Sequence, residues 1–303
     1  MRCARSVLGF LLAAAPAHGE PAAAYVATRD RGLVRIDRDG GHAQVGPFKH
    51  AFGVVALGEE PGALFVQDGF KVWRLADASE RIGSLASPGL ALYLRGGARG
   101  PLWMANQAAV SAWRSGQWST QALPDAPQTF GVTEIVVDGE GQAWIKNKNG
   151  IWRTDGAGWH AVAAPPGEGD GSGCALGGPV IVLGCWEKVW QRQTEGWRQL
   201  AEVPRAAVSH IALAADGTLY LDAYQMGAFV LIIPPDGGEP RRAPRKNLKT
   251  YDLAVDRRGR AWLATDDGVE VYGRDGRALA PRWLRTLGES RHLLLVGEGP
   301  ALR

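Results

Sequence analysis

The chain has 303 residues, 46% of them hydrophobic and 21% charged, with 41 Gly, 18 Pro and 12 Trp. Gly at about twice its usual ~7% excludes a coiled coil or long-helix protein, and the apolar and Trp content excludes general disorder. With 34 basic against 31 acidic residues, the chain has no excess positive field to hold a polyphosphate, so nucleic acid is not expected as a partner.

The first 19 residues, 1–19, read as a secretory signal peptide. Arg2 and Arg5 precede an apolar stretch, Val7–Ala15, and small residues at Ala15, Ala17 and Gly19 offer cleavage sites. That stretch rises only ~14 Å as a helix, too short for a ~30 Å hydrocarbon core. Cys3 precedes the apolar run, so it is not placed as the lipid-bearing cysteine of a lipoprotein. No later stretch is long and apolar enough to span a bilayer. The mature chain, residues 20–303, is therefore expected to be periplasmic or secreted, without a membrane span, and monomeric.

From there on one pattern recurs: an apolar strand, a Gly-containing turn, a second strand with a central aromatic, then Gly before alternating apolar residues. Aligning on the second strand makes Tyr25, Phe65, Trp103, Trp144, Ile181, Tyr220 and Trp262 equivalent, at spacings of 40, 38, 41, 37, 39 and 42 residues. A repeat of this length marks a solenoid or propeller. Each unit holds four candidate strands; in the fourth they are Glu134–Asp138, Ala143–Lys146, Gly150–Arg153 and Trp159–Val162. Asp-Gly pairs at Asp138, Asp155, Asp216, Asp236 and Asp275 suit tight β connections. First strands such as Ile211–Leu213 are nearly all apolar and are expected to be buried on both faces, whereas later strands alternate.

Cys174 and Cys185 bracket an apparent hairpin turning near Gly177-Gly178. A tight turn there would pair Cys174 with about Ile181, so a bridge to Cys185 requires a wider loop or a bulge. A disulfide and two separately buried thiols both remain open, and neither cysteine has the spacing of a metal site or a redox pair.

The two ends complete each other. The first unit begins directly with second-strand material at Ala23–Ala27, and Arg291–Leu295 repeat the first-strand pattern, with Leu302 lying 40 residues after Trp262. Joining them predicts an all-β fold, a seven-bladed β-propeller with four-stranded blades, closed by pairing N- and C-terminal strands. An open solenoid would instead carry polar capping repeats.

The motifs AWLATDDGVEVY, from Ala261, and AYVATRDRGLVRID, from Ala24, resemble the two-component-regulator propeller repeat, in which an aromatic-containing strand ends at Thr and Gly opens the next. The resemblance covers about Ala22 to Arg303 and implies the seven-bladed fold. It also implies an extracytoplasmic sensor role, because such propellers serve as sensor portions of larger membrane receptors. This sequence departs from that pattern in lacking a transmembrane helix, a kinase and a regulator domain, so a free-standing binding module is expected. DGTLYLDA, from Asp216, is similar to the turn-strand element of streptogramin lyase-like propellers.

In such a ring the connections before each first strand and after each second strand open on one face, around the central channel. Glu134, His210, Asp252 and His292 fall at equivalent first-strand starts. Two histidines and two carboxylates suit a divalent metal, or a base oriented by a carboxylate; the alternative is that they solvate a wet channel mouth or cap strand ends through water. After the second strands come polar residues such as Gln67, Asn106 and Asn147, with Trp186 and Tyr224 as aromatic surface. That mixture suits a polar small ligand, a glycan, a peptide or an envelope protein.

The loop Gly167–Gly173 begins like a calcium loop, but the closing Glu position is Pro179, and a flexible connection is the simpler reading. No H-E-x-x-H, G-x-S-x-G or helix-opening G-x-G-x-x-G occurs. The sequence thus predicts an exported binding module, with a role in envelope sensing, rather than an enzyme. The alternative is a metal-assisted lyase or hydrolase at Glu134, His210, Asp252 and His292.

Overall fold

The computed structural model describes residues 22–84, 93–106, 109–123, 134–147, 149–169, 171, 173–246, 249–279, 281–296 and 299–300. The expected signal segment and Leu302 lie outside them. Strands β1 (Ala22–Thr28), β2 (Gly32–Asp37) and β3 (His42–Val45) come first. The second blade is β4 (Gly53–Ala56), β5 (Leu64–Asp68), β6 (Lys71–Leu75) and β7 (Ser79–Ser84). The third is β8 (Tyr93–Arg95), β9 (Leu102–Ala105), β10 (Ala109–Arg114) and β11 (Gln117–Ala122). The fourth, β12 (Glu134–Val137), β13 (Ala143–Asn147), β14 (Gly150–Thr154) and β15 (Trp159–Val162), matches the strands expected from sequence to within one residue.

The fifth blade is β16 (Ala175–Gly177), β17 (Val182–Gly184), β18 (Lys188–Gln193) and β19 (Gly196–Glu202). The sixth is β20 (Ala207–Leu213), β21 (Leu219–Tyr224), β22 (Ala228–Ile233) and β23 (Arg241–Pro244). The seventh has β24 (Thr250–Val255), β25 (Ala261–Thr265) and β26 (Gly268–Tyr272). Its outer position holds an isolated bridge between Tyr272 and Ala278, followed by the helical turn α1 (Arg282–Arg285). The last strand, β27 (Ser290–Leu295), pairs antiparallel with β1, aligning Val26 with Leu293 and Tyr25 with Leu294. It thereby supplies the innermost strand of the first blade. The fold is an all-β, seven-bladed propeller closed as the sequence predicts.

The core is distributed between the blades. Seven apolar clusters form among the described residues, each built from two neighbouring blades; Ala24 and Val34 of the first, for example, pack on Trp262 and Val269 of the seventh. The seven aligned positions all face these layers and are at most 5% exposed. Burial is greatest on second strands and not on first strands as expected: β25 is wholly buried, whereas β24 is half-buried along its length. The innermost strand turns one edge to the channel, so only its side chains are covered by neighbouring blades.

The aromatics also fix the turns. In Asp138-Gly-Glu-Gly-Gln-Ala-Trp144 the Asp138 carboxylate accepts the Glu140 and Gln142 N–H groups and the Trp144 indole N–H, at 2.8–2.9 Å. Asp256 does the same for Arg258, Arg260 and Trp262, and its Oδ2 also takes the Arg260 guanidinium at 2.6 Å. Each turn then docks on the preceding blade, because the Gly141 carbonyl accepts Trp103 Nε1 and the Gly259 carbonyl accepts the Tyr220 hydroxyl. Both glycines have positive φ, and a Cβ on Gly141 would lie 2.4 Å from the Arg99 carbonyl oxygen, so only Gly fits.

Cys174 and Cys185 form a disulfide with Cα atoms 4.2 Å apart. The wider turn that this requires is present: Gly177 pairs with Val182, which leaves four residues, 178–181, in the turn and sets Cys174 opposite Cys185. Ile181 therefore closes the turn just before β17 and is not inside the strand.

Removing the Asp256 carboxylate should take from a buried guanidinium, an indole N–H and two turn N–H groups the acceptor they share. Asp256→Ala is expected to cost about 3–5 kcal/mol, and Asp138→Ala, with no cationic partner in its turn, about 1–3 kcal/mol. Urea denaturation of both variants checks this, and equal losses would contradict the account.

Candidate functional site

The strand register places the four ionisable residues from the sequence at one level. Glu134 lies opposite Lys146, His210 opposite Asp222, Asp252 opposite Ala264, and His292 opposite Ala27. Each partner is two residues beyond the aligned aromatic. The same register puts Gly53, Tyr93 and Leu176 at this level on the other three blades.

Two of the side chains at this level, Glu134 and Asp252, lean toward the next blade and bond its innermost strand. Leu176 N–H donates to Glu134 Oε2 at 2.7 Å, and Leu293 N–H donates to Asp252 Oδ2 at 2.9 Å. An innermost strand has a free edge, and its buried N–H groups need acceptors. The two carboxylates provide them at the seams between blades four and five and between blades seven and one.

Each carboxylate also has cationic company that the sequence reading did not include. Lys146 Nζ lies 3.5 Å from Glu134 Oε2 and donates to the Cys174 carbonyl. Arg95, on the third blade, reaches across the channel to within 3.9 Å of Asp252 Oδ1 on the seventh. His292 Nε2 is 3.7 Å from Asp252 Oδ2. His210 Nδ1 is 3.4 Å from Asp222 Oδ2, and Asp222 is held in turn by the fully buried Arg245, whose Nε bonds Glu270 at 2.9 Å. Lys146 and Asp222 were legible in principle as the residues opposite Glu134 and His210. Arg95 and Arg245 were not, because nothing in the local pattern shows a reach across the channel or between blades.

The electrostatics separate the two histidines. Burial pushes His292 down to about 4, with Arg95 adding to the shift against Asp252. Burial acts the same way on His210, but Asp222, Glu134 and Asp252 outweigh it and raise its pKa. Burial raises Glu134 against the pull of Lys146 and His210. For Asp252, burial is outweighed by His292, Arg95 and the Leu293 N–H, which lower it. His210 is therefore the readily charged imidazole of the ring and His292 the neutral one.

Among the described residues, the group of three His, Cys, Asp or Glu ligand atoms within 4.8 Å of one another is Glu168, Cys174 and Cys185, not a set drawn from the channel ring. Of the calcium-like loop, Asp170 and Ser172 lie outside the described residues.

The face around the channel mouth divides in two. Gln67, Asn106 and Asn147 are buried, and they turn inward to hold the connections after the second strands: Asn106 Oδ1 accepts the Ala109 N–H and Asn147 Oδ1 the Asn149 N–H, both at 2.8 Å. Trp186 and Tyr224 face solvent at 50% and 52% exposure, and Met226 is fully exposed on a positive-φ turn. Phe70 is half exposed on the equivalent connection of blade two, so among the described residues four of the five exposed large apolar side chains sit on this face. The Arg205 guanidinium lies 6.0 Å over the Trp186 ring.

No family model and no curated protein sequence matches the chain. Solved structures do resemble it. A streptogramin B lyase is 13% identical with a TM-score of 0.61, over 80% of this chain and 91% of that one. A protein described as a 6-phosphogluconolactonase, from Bacteroides fragilis, is 11% identical with a TM-score of 0.61, over 90% and 97%. The extracellular domain of a one-component system from B. thetaiotaomicron is 13% identical with a TM-score of 0.56, over 86% of this chain and 39% of that one. At these identities the likeness establishes the propeller fold, and it spans proteins described as enzymes and an extracellular domain alike. No helix among the described residues is long and apolar enough to cross a membrane.

A histidine held at about 4 in the fold and near 6.5 when unfolded takes up its proton preferentially in the unfolded state between those values. Its contribution is complete above pH 6.5 and is lost as the pH falls toward 4, a change of about 3 kcal/mol. His292→Asn should therefore flatten the stability difference between pH 7 and pH 4 relative to the parent. His210→Asn should act in the opposite sense, because a raised pKa stabilises at low pH. Denaturant midpoints across this range measure both, and parallel curves for parent and His292→Asn would refute the assignment.

Proposed function

We propose that the protein is an exported binding module that takes a peptide or protein partner on the channel face, with Trp186, Tyr224 and Met226 as the contact surface. The observation that carries this reading is the gathering of exposed apolar side chains on the connections of that one face. Isolated surface apolar residues need no explanation, but aromatic side chains concentrated on one face fit an interaction surface. Export is supported by the disulfide and by the signal-like first 19 residues. Envelope sensing fits the likeness to the extracellular domain of a one-component system.

The competing reading, a metal-assisted lyase or hydrolase at Glu134, His210, Asp252 and His292, has less support. Glu134 and Asp252 already accept backbone N–H groups, and a cation there would compete with Lys146 and Arg95. Metal content that falls in Asp252→Ala would favour it over the binding module.

A photo-crosslinking residue replacing Met226 should give a defined adduct in intact cell envelopes, and the same residue replacing Glu239, on the opposite face, should give none. Adding Trp186→Ala should reduce the Met226 adduct by about tenfold, the loss expected of one central aromatic contact. Equal labelling from both positions, or none from either, counts against the proposal.

A further inference from the structure

On the connections before β16 and after β17, beside Trp186, the fifth blade carries a three-residue cluster whose chemistry changes with oxidation state. Sulfur atoms of Cys174 and Cys185 and a carboxylate oxygen of Glu168 lie within 4.8 Å of one another, and both cysteines are buried. We infer that when the disulfide is reduced these three side chains bind one zinc-type divalent cation.

The cluster does not depend on the disulfide for its geometry. The β16–β17 ladder, Ala175–Gly184 through Gly177–Val182, keeps the two cysteines opposite each other when the covalent link is cut. Glu168 is tied to the same strand by two successive turns, with the Gly171 N–H donating to the Glu168 carbonyl and the Cys174 N–H to the Gly171 carbonyl, at 3.0 and 3.1 Å. Its carboxylate is oriented by Trp190 Nε1, 3.2 Å from Oε1, the kind of outer contact that fixes a metal ligand. Around it, Gly167, Gly169 and Gly171 have positive φ, so the connection is built from residues that tolerate small backbone adjustments.

Tetrahedral zinc with Zn–S of ~2.3 Å places two thiolates about 3.8 Å apart. Cysteines facing each other with Cα atoms 4.2 Å apart reach that separation by side-chain rotation alone. Two thiolates and a carboxylate carry three negative charges, two of them on soft sulfur donors, which selects borderline-soft zinc over hard calcium or magnesium. The fourth position is left for water.

The redox step is an ordinary exchange. A dithiol reductant attacks the disulfide, its own sulfurs end as a disulfide, and two electrons and two protons pass to Cys174 and Cys185. Metal binding then displaces both thiol protons.

The test uses the full mature chain, reduced with a phosphine, freed of reductant without air, and titrated with Zn²⁺ or Co²⁺. The reduced protein should take up one equivalent, and cobalt should give a thiolate charge-transfer band in the near ultraviolet; the oxidised protein should give neither. Glu168→Gln, which leaves the disulfide intact for folding, should weaken metal binding by at least about tenfold once reduced. Cys174→Ser should abolish the cobalt band. The inference is overturned if the reduced protein binds no metal while keeping its native near-UV dichroism. It is equally overturned if Glu168→Gln binds as the parent does, or if reduction unfolds the chain even with zinc present.

Discussion

Everything in this molecule depends on closing a ring. Each blade is apolar on both faces, and each face is covered only by the next blade, so an unclosed series would leave two sheets of core in water. The pairing of β27 with β1 removes that exposure: Leu293 joins the layer shared with Trp262 and Val269, and Leu294 packs on the layer shared with Val54 and Val66. Closure also fixes the number of blades, because the pairing completes one blade from two separate pieces of chain.

Closure creates the channel, and the channel creates an electrostatic problem. Innermost strands have an edge with no neighbour, and their N–H groups are too enclosed to be left without acceptors. Glu134 and Asp252 answer this at two seams, and carboxylates in that position need cations in turn, which Lys146 and Arg95 supply. The opposing shifts of His210 and His292 then follow from where each ring sits: one faces several carboxylates, while the other is buried beside one carboxylate and an arginine. A set of residues that reads like a metal centre in the sequence is, in the fold, largely engaged in joining blades.

What the sequence made legible is what repeats. The second-strand aromatics, the Asp-Gly turns and the complementary ends gave blade count and closure, because each blade meets the same packing demands. The equivalence of Glu134, His210, Asp252 and His292 was visible for the same reason. Features that occur once were hidden. Arg95 crosses the channel from a three-residue strand. The seventh blade has a single bridge and a helical turn where the others have a fourth strand, with Leu284 and Leu287 buried in their place. Gln67 and Asn147 look like rim groups by position, yet their side chains turn inward. The hairpin at Cys174 defeated a two-residue turn because the ladder there closes at Gly177–Val182.

The division between committed and uncommitted side chains bears on function more directly than the fold does. Inside the channel, charges are matched: Asp252 is bonded across the seam and approached by Arg95 and His292, and Asp222 is shared between His210 and Arg245. A ligand entering at that depth would have to replace these contacts in a low-dielectric site, where losing one partner leaves a buried charge. At the rim, Trp186 and Tyr224 are half exposed and Met226 fully exposed, so covering them gains apolar burial without breaking an ion pair. The Arg95–Asp252 pair spanning the channel gives that surface a floor. On the proposed reading, apolar contacts at the rim above these matched charges favour the surface of another chain over a small molecule drawn into the channel.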